Sequence, residues 1–165
     1  MQLSEHFKLR EFTRSQIATR LGIDQSKPPV EVVSNLVALC QTLLEPLREE
    51  FGPISISSGW RNIEVCRQLG SSEKSQHVFG EAADWEARQS ESNYAVAKWI
   101  EASSLSWDQL ILEFASTPEQ IADGEGDPMD GWLHLSNKID KSKNRRVCLR
   151  AVKVNGKTKY LEGLD

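Results

Sequence analysis

Between residues 30 and 50 apolar side chains recur at 33, 36, 37, 40, 43, 44 and 47, among others. A period near 3.6 predicts one amphipathic helix with a single buried stripe. Pro29 suits its first turn. Pro46 is expected to bend it or open its last turn, and Gly52-Pro53 to stop it. Upstream, Phe7, Leu9 and Phe12 precede a short helical pattern over 15–20 that Gly22 closes, and a polar linker spans 24–29. Downstream the period shortens to two. Strands are predicted over 54–58, 82–87, 108–114 and 131–137. Helices are predicted over 62–69, ended by Gly70, and over 90–103, with a serine cap. Residues 71–80 read as a loop, 115–130 as an acidic loop rich in Gly, Asp and Pro, and 138–146 as a basic turn. Residues 147–154 and 158–162, joined through Asn155-Gly156, read as a terminal β-hairpin. Helices lead and strands follow, which predicts an α+β fold with a small antiparallel sheet packed against helices. One domain over 1–165 is expected, with a core from about residue 3 to 152 and a hairpin or tail over 153–165.

Composition bounds this picture without redirecting it. The 165 residues are 39% hydrophobic and 27% charged, with a net charge of −4. That is enough chain for one real core, and it offers no global basic field that would draw nucleic acid. The first segment carries charges at 5, 8, 10 and 11 and lacks the apolar run of a signal peptide. No uninterrupted stretch of 18 apolar residues occurs, so no transmembrane segment and a cytoplasmic site of synthesis are expected. Cys40, Cys66 and Cys148 are odd in number and widely spaced, which predicts thiols rather than a disulfide framework. Lys138, Lys141, Lys143, Arg145 and Arg146 are expected to form a solvated turn, with long-range attraction to an anionic wall as the sharper alternative. Oligomeric state is not legible.

The chemistry concentrates in three strand ends. His77 precedes Asp84 by seven residues, His134 stands inside GWLHLSN, and Glu113 ends DQLILE. If the strands are neighbours, these four converge. Two imidazoles and one carboxylate leave a fourth tetrahedral position for water, the pattern of a catalytic zinc site. A further acid that is not a ligand then takes the water's proton. Each histidine also has a plainer reading, as a loop residue (His77) or a satisfied core residue (His134).

Ser75-x-His77-x-x-Gly80-x-Ala82-x-Asp84, followed by Trp132-x-His134-x-Ser136, resembles the metal signature of the M15 peptidases. These are D-Ala-D-Ala carboxypeptidases and L-alanyl-D-glutamate endopeptidases of peptidoglycan, with a zinc arrangement shared with the hedgehog fold. SSGWR over 57–61 is similar to the family's SSGYR, and the segment beginning at Leu3 resembles the leader of a bacteriophage-associated branch. The resemblance implies one Zn2+ per chain held by His77, Asp84 and His134. It implies substrate contacts from Arg61, Ser75, Gln76 and Trp132, with the Arg61 guanidinium clamping a carboxylate. Gly80, Ala82 and Ala83 would let backbone and metal approach closely. The implied substrate is a peptidoglycan stem peptide, and the implied route is a phage product acting at the cell wall.

The sequence departs from the family at the base. Several M15 enzymes carry Glu-x-x-His, but three residues before His134 stands Gly131. Glu113 and Asp130 remain as the catalytic acids, with Glu113 favoured because a strand holds a carboxylate more firmly than a loop tip. Cys66 stands where the family often has Asn. The missing acid also leaves open a second function: a non-catalytic zinc-containing module of a phage virion, or one that binds peptidoglycan.

Overall fold

The structure is a computed structural model that describes residues 1–87 and 91–164. Helices α1 (Leu9–Thr13), α2 (Gln16–Leu21), α3 (Val30–Leu39), α4 (Glu45–Phe51), α5 (Ile63–Gln68), α6 (Asn93–Ala102) and α7 (Pro118–Ala122) accompany six strands. These are β1 (Ile54–Ser58), β2 (Ala82–Ala87), β3 (Gln109–Glu113), β4 (Trp132–Ser136), β5 (Val147–Val154) and β6 (Lys157–Glu162). They form one sheet in the order β1-β2-β4-β3-β5-β6.

The α+β class holds, but the sheet is mixed. Four pairs are antiparallel, and β3 pairs with β5 in parallel. The antiparallel expectation missed this because β4 and β5 both flank β3. The chain leaves β4 and crosses through the basic turn to the far side of β3, which sets β5 parallel to it. The terminal hairpin turns on Asn155 and Gly156, both at positive φ, as a two-residue primed turn requires. Its strands complete the sheet, and Leu164 beyond them is buried in the core.

Pro46 acts as its chemistry dictates. It has no N–H, and its ring crowds the carbonyl four residues back. The helix responds with a π turn over Cys40–Leu44, in which the Glu45 N–H reaches the Cys40 carbonyl. The continuous helix Val30–Phe51 is long and apolar enough to cross a membrane by length and composition. Here it is the core helix: Leu36, Leu39, Cys40, Leu43, Leu44 and Leu47 are fully buried. The buried stripe takes in Val32 and Leu39, while Val33 and Val37 lie partly covered at its edge. The helix expected over 90–103 is α6, capped by the Ser92 hydroxyl; residue 90 lies outside the described residues.

The two faces of the sheet divide the labour. Trp85, Leu133 and Leu112 stand opposite one another across β2, β4 and β3. They join the helices in one apolar cluster. Asp84, His134 and Ile111 are the corresponding row on the other face, with Trp132 and Glu113 as the next row. A β-bulge between Ile56 and Ser58 sets Ser58 opposite Asp84.

The acidic loop is not structureless. Thr117 caps α7, and Gln120 returns the bond in a capping box. The basic turn is solvated as expected, with Lys141, Lys143, Arg145 and Arg146 exposed, but several of its charges have partners. Arg145 pairs with Asp108, Lys138 with Glu81, and Arg146 lies 4.6 Å over the Trp107 ring.

Candidate metal centre

His77 reaches the sheet from the loop between α5 and β2, and that loop is tied down at several points. The Trp60 indole donates to the Val78 carbonyl at 3.0 Å, the Asn35 amide to the Phe79 carbonyl at 2.8 Å, and the Arg61 N–H to the His77 carbonyl at 3.1 Å. Trp60 is buried and tethers this loop. The ligand atoms of His77, Asp84 and His134 all lie within 4.8 Å of one another, and both histidines are buried.

The donor set fits a cation. His77 Nδ1 lies 2.7 Å from the Gly59 carbonyl, which only accepts, so Nδ1 carries the proton and Nε2 is left with a lone pair. That Nε2 faces Asp84 Oδ1 at 3.2 Å. His134 has its Nε2 3.2 Å from Gln76 Oε1 and its Nδ1 2.9 Å from the same Asp84 oxygen. A proton on Nε2 leaves the Nδ1 lone pair aimed at a carboxylate. Two lone pairs pointed at one anionic oxygen repel unless positive charge lies between them.

Glu113 is half-buried on the same face, in the next row. Burial and then the negative charge of Asp84 push its carboxyl up to about 7. Asp130 is in a different position. It is exposed, accepts from the Ser116 hydroxyl at 2.6 Å and the Asp127 N–H at 2.9 Å, and is held below the ordinary carboxylate range by them. These bonds staple the acidic loop.

Gly131 explains the missing acid before His134. It has φ +72°, and a Cβ there would lie 2.0 Å from the Glu113 carbonyl oxygen and 2.5 Å from the Ala115 nitrogen. No side chain fits where β3 and β4 begin to separate. Gly131→Ala is expected to cost at least about 2 kcal/mol of stability through the left-handed strain and this clash. A denaturant midpoint measures it, and an unshifted midpoint would contradict the tight approach of the two strands.

The other expected site residues are spread around the cluster. Arg61 is half-buried, and its Nη2 lies 3.4 Å from the Ser58 hydroxyl. Among the described residues no carboxylate lies within ion-pair distance of it. A groove of about 1190 Å3 is lined in part by Arg10, Arg14, Arg20, Ser58 and Arg61, and none of His77, Asp84, Glu113 or His134 lines it. Ser58, in its wall, stands opposite Asp84 in the β1–β2 register. Trp132 is half-buried opposite Glu113, its ring tilted against Phe114 at 5.3 Å. Ser75 is half-buried in the turn before His77, where its carbonyl accepts from Val78. Gln76 lies with its Oε1 3.2 Å from His134 Nε2 and donates to Asp108 at 2.6 Å. Gly80, expected to admit the metal, instead admits α3: a Cβ there would lie 2.7 Å from the Val32 carbonyl oxygen. Ala82 and Ala83 are fully buried in β2. Cys66 is buried in α5. Three residues on this site went unread in the sequence. Gly59 presents its carbonyl to His77 because Phe12 packs on its bare Cα, where a Cβ would be 2.5 Å away. Asp108 anchors Gln76. Tyr160 lies two strands from Glu113 across the small Ala151, and burial and the charges of Glu113 and Asp84 raise its phenol.

A profile of the peptidase M15 family matches residues 5–115. The chain belongs to the peptidase M15 family. The matched span contains Arg61, His77, Asp84 and Glu113 and stops before His134. The third member of this metallopeptidase cluster is therefore placed by the geometry, opposite Asp84 on β4. No curated protein gives a match.

Proposed function

We propose that the protein is a zinc metallopeptidase of peptidoglycan stem peptides, acting as a DD-carboxypeptidase or an L-Ala-D-Glu endopeptidase. One observation carries the reading. A buried His-Asp-His cluster stands beside a carboxyl group, Glu113, that is poised near neutrality and is not a member of the cluster. His77 Nε2, an Asp84 oxygen and His134 Nδ1 are the atoms that would hold the ion. Bound there, zinc supplies Lewis acidity toward the scissile carbonyl and acidifies a water. Glu113 would accept a proton from the attacking water and pass it to the leaving amine. Its raised carboxyl suits both transfers at neutral pH. Arg61, one of the arginines lining the groove, offers a guanidinium to a substrate carboxylate. Trp132 flanks the row that carries Glu113. The phage-associated origin and action at the cell wall belong to the same proposal, supported by the likeness of the leader segment.

The non-catalytic reading drew its support from the absent acid at 131. The steric demand at Gly131 supplies a separate reason for that absence, and Glu113 supplies the acid from the facing strand. The test is digestion of defined stem peptides, followed by mass spectrometry with zinc and with chelator. Zinc-dependent loss of a terminal D-alanine would identify a carboxypeptidase, and a cut between L-Ala and D-Glu an endopeptidase. No product from folded, zinc-loaded protein would return the non-catalytic reading.

A further inference from the structure

We propose that Gln76, Asp108 and Arg145 form a positioning chain that keeps the proton of His134 on Nε2 and its Nδ1 open to the metal. The inference rests on the metal cluster and not on the peptidase reaction, so its test does not read turnover.

A glutamine side chain alone does not fix a histidine tautomer, because its amide presents an oxygen or an NH2 with nearly the same shape. Here the far end of the amide decides. Asp108 is fully buried. Burial works against its charge, but Arg145 donates to it from Nε at 2.8 Å, Nη2 at 2.7 Å and the backbone N–H at 3.0 Å. These bonds hold Asp108 ionised, below the ordinary carboxylate range. An ionised carboxylate only accepts. The Gln76 group 2.6 Å from Asp108 Oδ2 is therefore its NH2, and its oxygen is turned to His134. Flipping the amide would set oxygen against carboxylate in a buried site.

The alternative the chain prevents is specific. Asp84 lies 2.9 Å from His134 Nδ1 and is itself a strong acceptor. Without a competing acceptor at Nε2, the imidazole proton moves to Nδ1 and bonds Asp84, occupying the lone pair the metal needs. The chain also gives a function to the basic turn. Arg145 comes from the crossover between β4 and β5, outside the span matched by the family profile.

Histidine-labelled protein, read through long-range proton–nitrogen couplings, reports which ring nitrogen carries the proton. The parent protein is expected to show protonated Nε2 at His134, both metal-free and zinc-loaded. In Gln76→Leu the proton moves to Nδ1, and zinc affinity, read by chelator competition, falls about 10- to 100-fold. Asp108→Asn and Arg145→Gln, which free the amide to turn, shift both readouts in the same direction. A merely structural role would lower melting temperature and leave Nε2 protonated. The proposal is overturned by bare Nε2 in the parent protein, a result that needs no variant. It is also overturned if folded Gln76→Leu keeps either readout at the parent value.

Discussion

Replacing Glu113 with glutamine is expected to leave one zinc bound and to lower kcat/KM by about 10^2- to 10^4-fold, the usual worth of a positioned general base. Glutamine keeps the size and a hydrogen-bonding end but cannot take a proton. The pH profile carries the same prediction. Glu113 must be ionised to act, and burial with the Asp84 charge sets its carboxyl at about 7 in the absence of metal. A bound cation lowers that value. The acid limb of kcat/KM is therefore expected to inflect no higher than about 7 and to vanish in the variant. Stability moves the other way. A carboxyl whose folded pKa exceeds its unfolded value binds more protons in the native state between the two. The metal-free parent thus loses stability as pH rises from about 4.5 to 7. Glu113→Gln escapes that loss, by an amount on the order of 1 kcal/mol once partial exposure is allowed for. A variant that melts higher than the parent above pH 7 yet turns over no substrate would separate catalysis from folding. Full activity in the variant would remove Glu113 from the mechanism.

The larger effect is expected at the ligands. His134→Ala or Asp84→Asn should weaken zinc binding by more than the 10- to 100-fold that losing an outer partner costs. Asp84 carries the one formal negative charge of the cluster, and its amide analogue would leave two imidazole lone pairs facing a weak dipole. In the parent, zinc at a thousand times its Kd adds about 4 kcal/mol to the stability of the folded state. Thermal melts with and without zinc should show that gain in the parent and not in either variant. A zinc-induced shift retained by His134→Ala would mean that the ion binds elsewhere.

The metal cluster was legible in the sequence because its chemistry demands particular residue types at short range: a histidine, small residues and an aspartate along one loop and strand. His134 was legible because one residue type inside one strand carried the signal. The packing around them was not. Nothing local in DQLILE shows that its aspartate meets a glutamine 32 residues upstream and an arginine 37 residues downstream. Such polar partners are fixed only when strand order is fixed, and the parallel placement of β5 beside β3 is a tertiary outcome. For the same reason Gln76 read as a substrate contact. Its neighbours in sequence are site residues, and the bridge its amide makes between His134 and Asp108 has no local signal. Another feature had a signal that went unweighed. Thr117-Pro118-Glu119-Gln120 spells a capped helix start. Gly131 read as a missing acid, while its cause lies in a carbonyl on the facing strand.

The most direct test of the central claim is a zinc titration of the metal-free protein, with stem-peptide hydrolysis followed on the same samples. The account predicts saturation at one zinc per chain, with hydrolysis rising in proportion to occupancy and abolished by chelator. A folded protein that binds no zinc, or hydrolysis that persists when the metal is stripped, would contradict it.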